Sequence, residues 1–373
     1  MFATRFLKLT LVWCFLLSSA FFCTAPARAC NVPVFRWALE KWEPDPYEVV
    51  VFHRGTLAEA ARALVDRLEA DTGANIAVHA VDVAAQPDER MRALWERQSS
   101  VVLPWMVVRY PTVSGIEQGV WAGTLTDDTV DALLDSPKRR EIAQRLLDDD
   151  AAVWVLLESG DAEKDDAADR LLQAEIDRMA NTLELPQSAA GSAYSGWNTP
   201  EPPDLPIAFS LVRVSRTDPA EQVFVRMLLH SEPDLTTFAE PIAFPVFGQG
   251  RMLYALVGAG INADNIGEAC TFLVEACTCQ VKAQNPGTDI LMSVDWDSSI
   301  RDKFVTELAL VPFPGLVETT DLAMSDQAGA GGTPEARSTA LLRNIIIVVA
   351  VQIVIVAAVT LTLIARKRSA SRR

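Results

Sequence analysis

Cysteine is the residue type in this chain with the widest chemical scope, and three cysteines lie close together. Cys270, Cys277 and Cys279 form one cluster, whereas Cys30 lies far upstream. The spacing of Cys270 and Cys277 would set both on one face of a helix. Thiols form disulfides in oxidising compartments, and thiolates bind soft metals such as copper(I). Three interpretations stay open: structural disulfides tying Cys30 to the cluster, buried unpaired thiols, or a functional thiol pair or metal site.

Histidine and carboxylate patterns do not indicate an enzyme. The chain contains 3 histidines, His53, His79 and His230, and none is spaced from Ser, Asp or Glu as in hydrolases or metalloproteases. The acidic runs at 148–150 and 161–166 lack the ligand positions and the glycine of a calcium loop. We therefore predict no catalytic residue, no metal ligand and no cofactor.

The N-terminal residues are typical of a secretory signal. Arg5 and Lys8 precede an apolar run, and Ala27-Arg28-Ala29 supplies the small residues typical of a signal-peptide cleavage site. This order predicts a signal peptide over 1–29, with cleavage after Ala29. An uncleaved anchor and a lipid on Cys30 stay open as alternatives.

The C-terminal residues are typical of a membrane anchor. Residues 344–365 are almost uniformly apolar, and roughly 20 such residues in a helix match the hydrocarbon core of a bilayer. A basic tail follows at 366–373, and the small, polar segment 301–343 reads as an extension and stalk. The positive-inside rule puts the tail in the cytoplasm. We therefore predict a single-pass membrane protein with a periplasmic, extracytoplasmic N-terminal ectodomain.

The charge of the ectodomain narrows the range of partners. The whole chain has 49 Asp+Glu and 33 Lys+Arg. Eight of the basic residues lie in the signal and the tail, which hold no acid, so 25 basic residues face 49 acidic ones and the net charge is −24. Such a surface repels phosphate backbones, which argues against nucleic-acid binding.

Hydrophobic periodicity predicts alternating strands and helices between residues 47 and 147. Strands are predicted at 48–52, 75–83, 103–110 and 119–124, and helices at 56–70, 88–98 and after a Thr126 cap. Thr56 and Glu59 would form the capping box of the first helix. The upstream aromatic residues Trp37 and Trp42 are expected to pack against the domain.

The same order of elements recurs downstream. Strands are predicted at 152–160, 206–215, 241–247 and 253–258, and helices at 165–183, 221–230 and 264–276. Pro241 opens its strand as Pro104 does, and Gly160 ends its strand as Gly55 does. Alternating strands and helices predict an α/β fold.

This order resembles the thioredoxin-like fold, in which a strand that begins with proline follows the second helix. Leu103-Pro104, the next strand and the capped helix at Thr126 carry the resemblance. It implies two tandem thioredoxin-like domains in three α/β/α layers, at 30–148 and 149–300, with a loop insertion at 186–206. One larger sheet spanning both halves stays open as an alternative.

Thiol enzymes of that family carry Cys-x-x-Cys at the start of the first helix, where the helix N-terminus lowers the thiol pKa. The matching stretch here begins at His53-Arg54, and its counterpart follows Glu158; neither contains cysteine. The resemblance therefore implies the fold without its redox motif. It also implies a candidate groove for an extended peptide at His53, Arg54, Pro104 and Trp105.

The expected function is a membrane-tethered binding or assembly module without catalytic activity, which contacts another envelope protein. The alternative is a thiol-redox or soft-metal-handling protein that uses Cys277 and Cys279. Stable pairing of all mature cysteines without bound metal would argue against that alternative.

Overall fold

The structure is a computed structural model that describes residues 32–186, 207–277 and 281–300 of the chain. Helices and strands alternate along these ranges, and the strands form two sheets. The predicted α/β class is therefore confirmed.

Several predicted segments lie outside the described residues. They are the signal peptide at 1–29, the stalk, the membrane helix at 344–365, the basic tail, and most of the 186–206 insertion. Among the residues that the structure does describe, no helix combines the length and apolar character needed to cross a bilayer.

The first half contains five helices and four strands among the described residues. They are α1 (Val34–Lys41), β1 (Tyr47–His53), α2 (Glu59–Ala70), β2 (Ile76–Asp82), α3 (Glu89–Glu96), β3 (Trp105–Arg109), β4 (Gly119–Thr124), α4 (Asp127–Leu134) and α5 (Pro137–Leu147).

Side-chain caps explain where two of these helices begin. The Asp88 carboxylate accepts a hydrogen bond from the N–H of Met91 at 2.9 Å and so caps α3. Thr126 and Thr129 form a reciprocal capping box at α4. Each cap satisfies backbone N–H groups that the first helical turn leaves unpaired. The predicted Thr126 cap is confirmed.

The first sheet has the strand order β2-β1-β3-β4. β1 pairs parallel with β2 and antiparallel with β3, and β3 pairs antiparallel with β4. Because successive residues of a strand point to opposite faces, β1 supplies two cores. Val49 and Val51 pack in the main core with α2 and α4, whereas Val50 and Phe52 pack with Met91 of α3.

The second half repeats this arrangement. Its elements are β5 (Ala152–Leu157), α6 (Ala162–Thr182), β6 (Phe209–Val214), α7 (Gln222–Leu229), β7 (Ile242–Phe247), β8 (Arg251–Met252), β9 (Leu256–Val257), α8 (Ala263–Val274), β10 (Thr288–Asp289) and α9 (Trp296–Ile300). β5 pairs parallel with β6 and antiparallel with β7, and β7 pairs with β8 and β9.

A shared hydrogen bond marks the repeat. The N–H of Leu125, just after β4, donates to the carbonyl of Pro104 at 2.9 Å. The N–H of Gly258, just after β9, donates to the carbonyl of Pro241 at 2.9 Å. In both halves, the proline just before a strand therefore accepts a hydrogen bond from the residue that follows an antiparallel neighbour of that strand.

Three local predictions are wrong. Helix α2 begins at Glu59 after Ala58, and no side chain caps it, so Thr56 is not its cap. Of the strand predicted at 253–258, only β9 (Leu256–Val257) forms, and the short β8 (Arg251–Met252) lies before the predicted segment. Helix α8 ends at Val274, so Cys270 and Cys277 do not share one helical face.

Helices α1 and α5 were not predicted. α1 packs within the second half: the N–H of Val34 donates to the carbonyl of Glu275 at 3.0 Å, and Trp42 contacts Phe247 edge to face. Trp37 and Trp42 are buried, so the expected packing of these aromatic residues is confirmed.

Conversely, residues near position 290, late in the chain, bind to the first half. Asn75, before β2, donates from its backbone N–H to the carbonyl of Met292 at 3.3 Å, and Tyr47 donates from its hydroxyl to the carbonyl of Asp289 at 2.7 Å. All described residues belong to one compact unit. The division into domains at 148/149 stays a prediction.

Candidate functional site

The antiparallel pairing of β1 and β3 brings the predicted groove residues to one end of the first sheet. Phe52 pairs with Trp105, so His53 and Pro104, the next residues outward, lie at the same sheet end. The Leu103–Pro104 peptide bond is cis.

The loop after β1 is held by one carboxylate. Asp82 Oδ1 accepts hydrogen bonds from the N–H of Ala84 at 2.8 Å and from the N–H of Gly55 at 3.1 Å. These two bonds, and to a lesser degree the nearby charges of His53 and Arg54, lower the pKa of Asp82. Gly55 has φ of +65°, a left-handed conformation that suits glycine. The loop is thus fixed without a cysteine.

His53 and Arg54 take different positions in this loop. The Nδ1 atom of His53 lies 2.8 Å from the carbonyl oxygen of Gly55. Because a carbonyl only accepts, Nδ1 donates and Nε2 stays available. Arg54 is exposed and makes no ion pair or hydrogen bond with any described residue.

Trp105 is turned inward rather than toward a ligand. Its Nε1 donates to Oε1 of Gln98 at 3.1 Å, and its ring packs against the small core around Val50 and Phe52. Trp105 therefore supports the sheet end, and the predicted role in direct recognition gains no support from its geometry.

An unpredicted residue, Val102, is the prominent apolar side chain at this end. It is 63 % exposed. Within the described part of the chain, the backbone groups of Val101, Val102 and Leu103 make no hydrogen bond. Free backbone groups next to an exposed apolar side chain are what an added strand pairs with.

The corresponding position of the second half is closed. Leu157 pairs with Val214 and Ile242, as Phe52 pairs with Val81 and Trp105. This register makes Phe238 and Glu240 the counterparts of Val101 and Leu103, and Arg216 the counterpart of Val83.

Arg216 closes the second site with three hydrogen bonds to backbone carbonyls. Its Nη1 donates to Phe238 at 2.9 Å, its Nη2 to Glu240 at 2.8 Å and its Nε to Glu158 at 2.9 Å. The buried Asp165 also holds the N–H groups of Ser159 and Gly160, at 2.7 and 3.0 Å. The carbonyls that stay free in the first half are therefore occupied here.

The cysteines divide between described and undescribed residues. Cys30 and Cys279 lie outside the described ranges. Cys270 is a free, fully buried thiol, and burial raises its pKa to about 12. Cys277 is 1 % exposed, and its N–H donates to the carbonyl of Val32 at 2.9 Å. Of the three interpretations, a buried unpaired thiol describes Cys270.

A metal-binding cluster of three or more His, Cys, Asp or Glu side chains does not occur in residues 32–186, 207–277 and 281–300. His79 lies on β2, with Nε2 4.0 Å from Glu48 Oε1, and His230 follows α7. The structure thus does not bring the histidines together.

Sequence reasoning missed Asp82, Val102 and Arg216. Asp82 had a usable signal, since an aspartate that ends a strand often caps the following turn. Val102 lies just before the strand predicted at 103–110 and was given no role, and the contacts of Arg216 join segments more than 20 residues apart. Hydrophobic periodicity in the sequence gives no information about such contacts.

Comparison with known proteins gives no match to a protein-family model, a curated protein or a solved structure.

Proposed function

We propose that the chain is a non-catalytic binding module whose first half receives an extended segment of another envelope protein. The observation that carries the proposal is the contrast between the two halves. The carbonyls of Val101 and Leu103 are free among the described residues, whereas Arg216 occupies their counterparts.

The thioredoxin-like identity of both halves is part of the proposal. Its support is the order β2-β1-β3-β4, with β1 and β2 parallel and β3 and β4 antiparallel. β6-β5-β7-β9 follows the same order and directions. Scaffolds of this kind host many activities, so function is argued from the open end of the sheet and not from the fold.

The location of the module is proposed from the two ends of the sequence. The signal-like residues 1–29 and the apolar segment 344–365 with its basic tail support a membrane-tethered, extracytoplasmic position. The excess of acidic residues supports a protein partner and argues against nucleic acid.

Pairing with an added strand explains how such a module would bind. The partner's N–H groups would donate to the free carbonyls of Val101 and Leu103, and its carbonyls would accept from the N–H groups of the same two residues. Val102 would supply apolar contact, at roughly 25 cal/mol per Å² buried.

Photo-crosslinking in cells tests this proposal. A benzophenone amino acid at Val102 should give discrete adducts with one partner, whereas the same residue at Val113, which is 75 % exposed elsewhere, should not. Equal labelling at both positions, or none at Val102, would refute the proposal.

An arginine introduced at position 83 gives a second, independent test. Val83→Arg puts an arginine where the second half has Arg216, so it should occupy the free carbonyls and abolish the Val102 adduct. Val83→Met keeps an apolar side chain and should preserve it. If both variants keep the adduct at full yield while folded by circular dichroism, backbone pairing at Val101 and Leu103 is not the mode of binding.

A further inference from the structure

A cleft beside β4 gathers arginines from three elements. Its volume is about 320 Å³, and its lining includes Arg97 after α3, Arg109 of β3, and Arg226 and His230 at the end of α7. Ligand pockets in proteins begin at about 300 Å³. The cleft is thus large enough for a small molecule.

Two of these arginines have no partner among the described residues. Arg109 donates to the Glu48 carboxylate at 3.0 Å, and Arg90 binds the same carboxylate. Arg97 and Arg226 are exposed and make no ion pair or hydrogen bond with any residue in the described ranges.

The charged residues that line the cleft determine which ligand charge it favours. Glu117 is the one acidic residue among the described residues that line the cleft. Arg97 and Arg226 together outweigh Glu117 by one positive charge, and Arg109 adds to the positive potential because it shares the Glu48 carboxylate with Arg90. The chain as a whole carries −16, so a ligand with several negative charges would be repelled at longer range.

The rest of the lining is mostly apolar and partly rigid. It includes Leu94, Val107, Val120, Trp121 and Ala122. The Nδ1–H of His230 donates to the carbonyl of Gly119 at 2.8 Å, which fixes that ring against β4. The register of the β3–β4 pairing shifts between Val108 and Arg109 at this edge of the sheet.

We propose that this cleft binds a small organic monoanion, a carboxylate attached to an apolar body. Arg97 and Arg226 donate to the carboxylate, because guanidinium groups match its planar geometry, and the apolar lining covers the body. Such a carboxylate is carried either by a free carboxylic acid or by the C-terminus of a peptide.

Calorimetric titration of the full chain with octanoate tests the proposal, with octan-1-ol as the uncharged comparison. Octanoate should bind and octan-1-ol should bind at least about tenfold more weakly, since a charge-assisted hydrogen bond is lost. Arg97→Gln and Arg226→Gln should each weaken octanoate about tenfold. Arg92→Gln, on the exposed side of α3 and outside the cleft, is the matched control and should have no effect.

Glu117→Gln supplies a change of opposite sign. Removing the like charge should tighten octanoate binding, which damage to the fold could not do. Equal affinity for octanoate and octan-1-ol, or no loss in Arg97→Gln and Arg226→Gln, would overturn the proposal.

Competition by a short apolar peptide identifies the source of the carboxylate. A peptide with a free C-terminus that displaces octanoate, while its amide does not, assigns the cleft to peptide ends; displacement by neither assigns it to free acids. The crosslink at Val102 should persist in Arg97→Gln. Failure of the carboxylate proposal can therefore be distinguished from failure of the proposed strand-binding function.

Discussion

Arg139 offers a sharp test of how the two halves are held together. It lies on α5, is 2 % exposed, and connects segments from both halves. Nη1 donates to the carbonyls of Leu133 at 2.8 Å and Leu291 at 2.9 Å, and Nη2 donates to that of Ala132 at 2.7 Å. The perturbation is Arg139→Gln.

The expected cost follows from the acceptors that lose their donor. Each buried polar group left unpaired costs about 1–3 kcal/mol. The Glu221 carboxylate, which is bound by Ser136 and the N–H of Lys138, also loses a nearby cation. Because such terms are not additive and the shorter glutamine restores one bond, we expect a loss of about 4 kcal/mol.

Urea unfolding followed by tryptophan fluorescence measures this loss, with Arg140→Gln as the matched control. Arg140 is the next residue on α5, but it is exposed and pairs with Asp135 at the surface. Its replacement should cost less than about 1 kcal/mol. If Arg139→Gln costs no more than Arg140→Gln, the assignment of Arg139 as the link between α4, α5 and the segment at Leu291 is wrong.

Two further predictions concern Cys270 and Gly248. Burial raises the pKa of Cys270 from 9.0 to about 12, so the stabilising contribution of the neutral thiol is complete below pH 9 and is lost as the pH rises toward 12. In Cys270→Ala, the urea midpoint should therefore fall less steeply with pH across this window. An unchanged slope would contradict this prediction. In native buffer, iodoacetamide should not modify Cys270, as mass spectrometry can check. Gly248→Ala places a Cβ 2.7 Å from that of Ala38 at φ +59° and should cost about 3 kcal/mol. Gly115→Ala, at φ +70° with open space around the new Cβ, should cost about 1 kcal/mol. If the two alanine variants lose the same stability, the contact of residue 248 with α1 is not the cause of the loss in Gly248→Ala.

Most of the helices and strands were predictable, because each follows from a local pattern. β4 was predicted with its observed bounds, and the Thr126 cap was found from residue type alone. α1 was missed, since its buried residues include Arg36 and Glu40, which look solvent-exposed in sequence. Their burial is offset by an ion pair between Arg36 Nε and Glu40 Oε1 at 2.5 Å and by Asp149 at 2.9 Å.

The candidate site was predictable only in outline. Pattern placed His53 and Pro104 near one sheet end, because both flank strands of the same sheet. It gave Trp105 a role in recognition, although that ring is turned toward Gln98. Side-chain direction at a strand end depends on the covering helix, and sequence spacing does not report it.

The sequence by itself determined the alternation of strands and helices, the duplicated order of elements and the absence of cysteine at both first-helix starts. These properties depend on residues close together in the chain. Tertiary structure alone decided that the second site is closed by Arg216, that the carbonyls of Val101 and Leu103 stay free among the described residues, and that Arg97 and Arg226 line the same cleft. Such outcomes depend on contacts between distant segments, whose geometry is set by packing of the whole core.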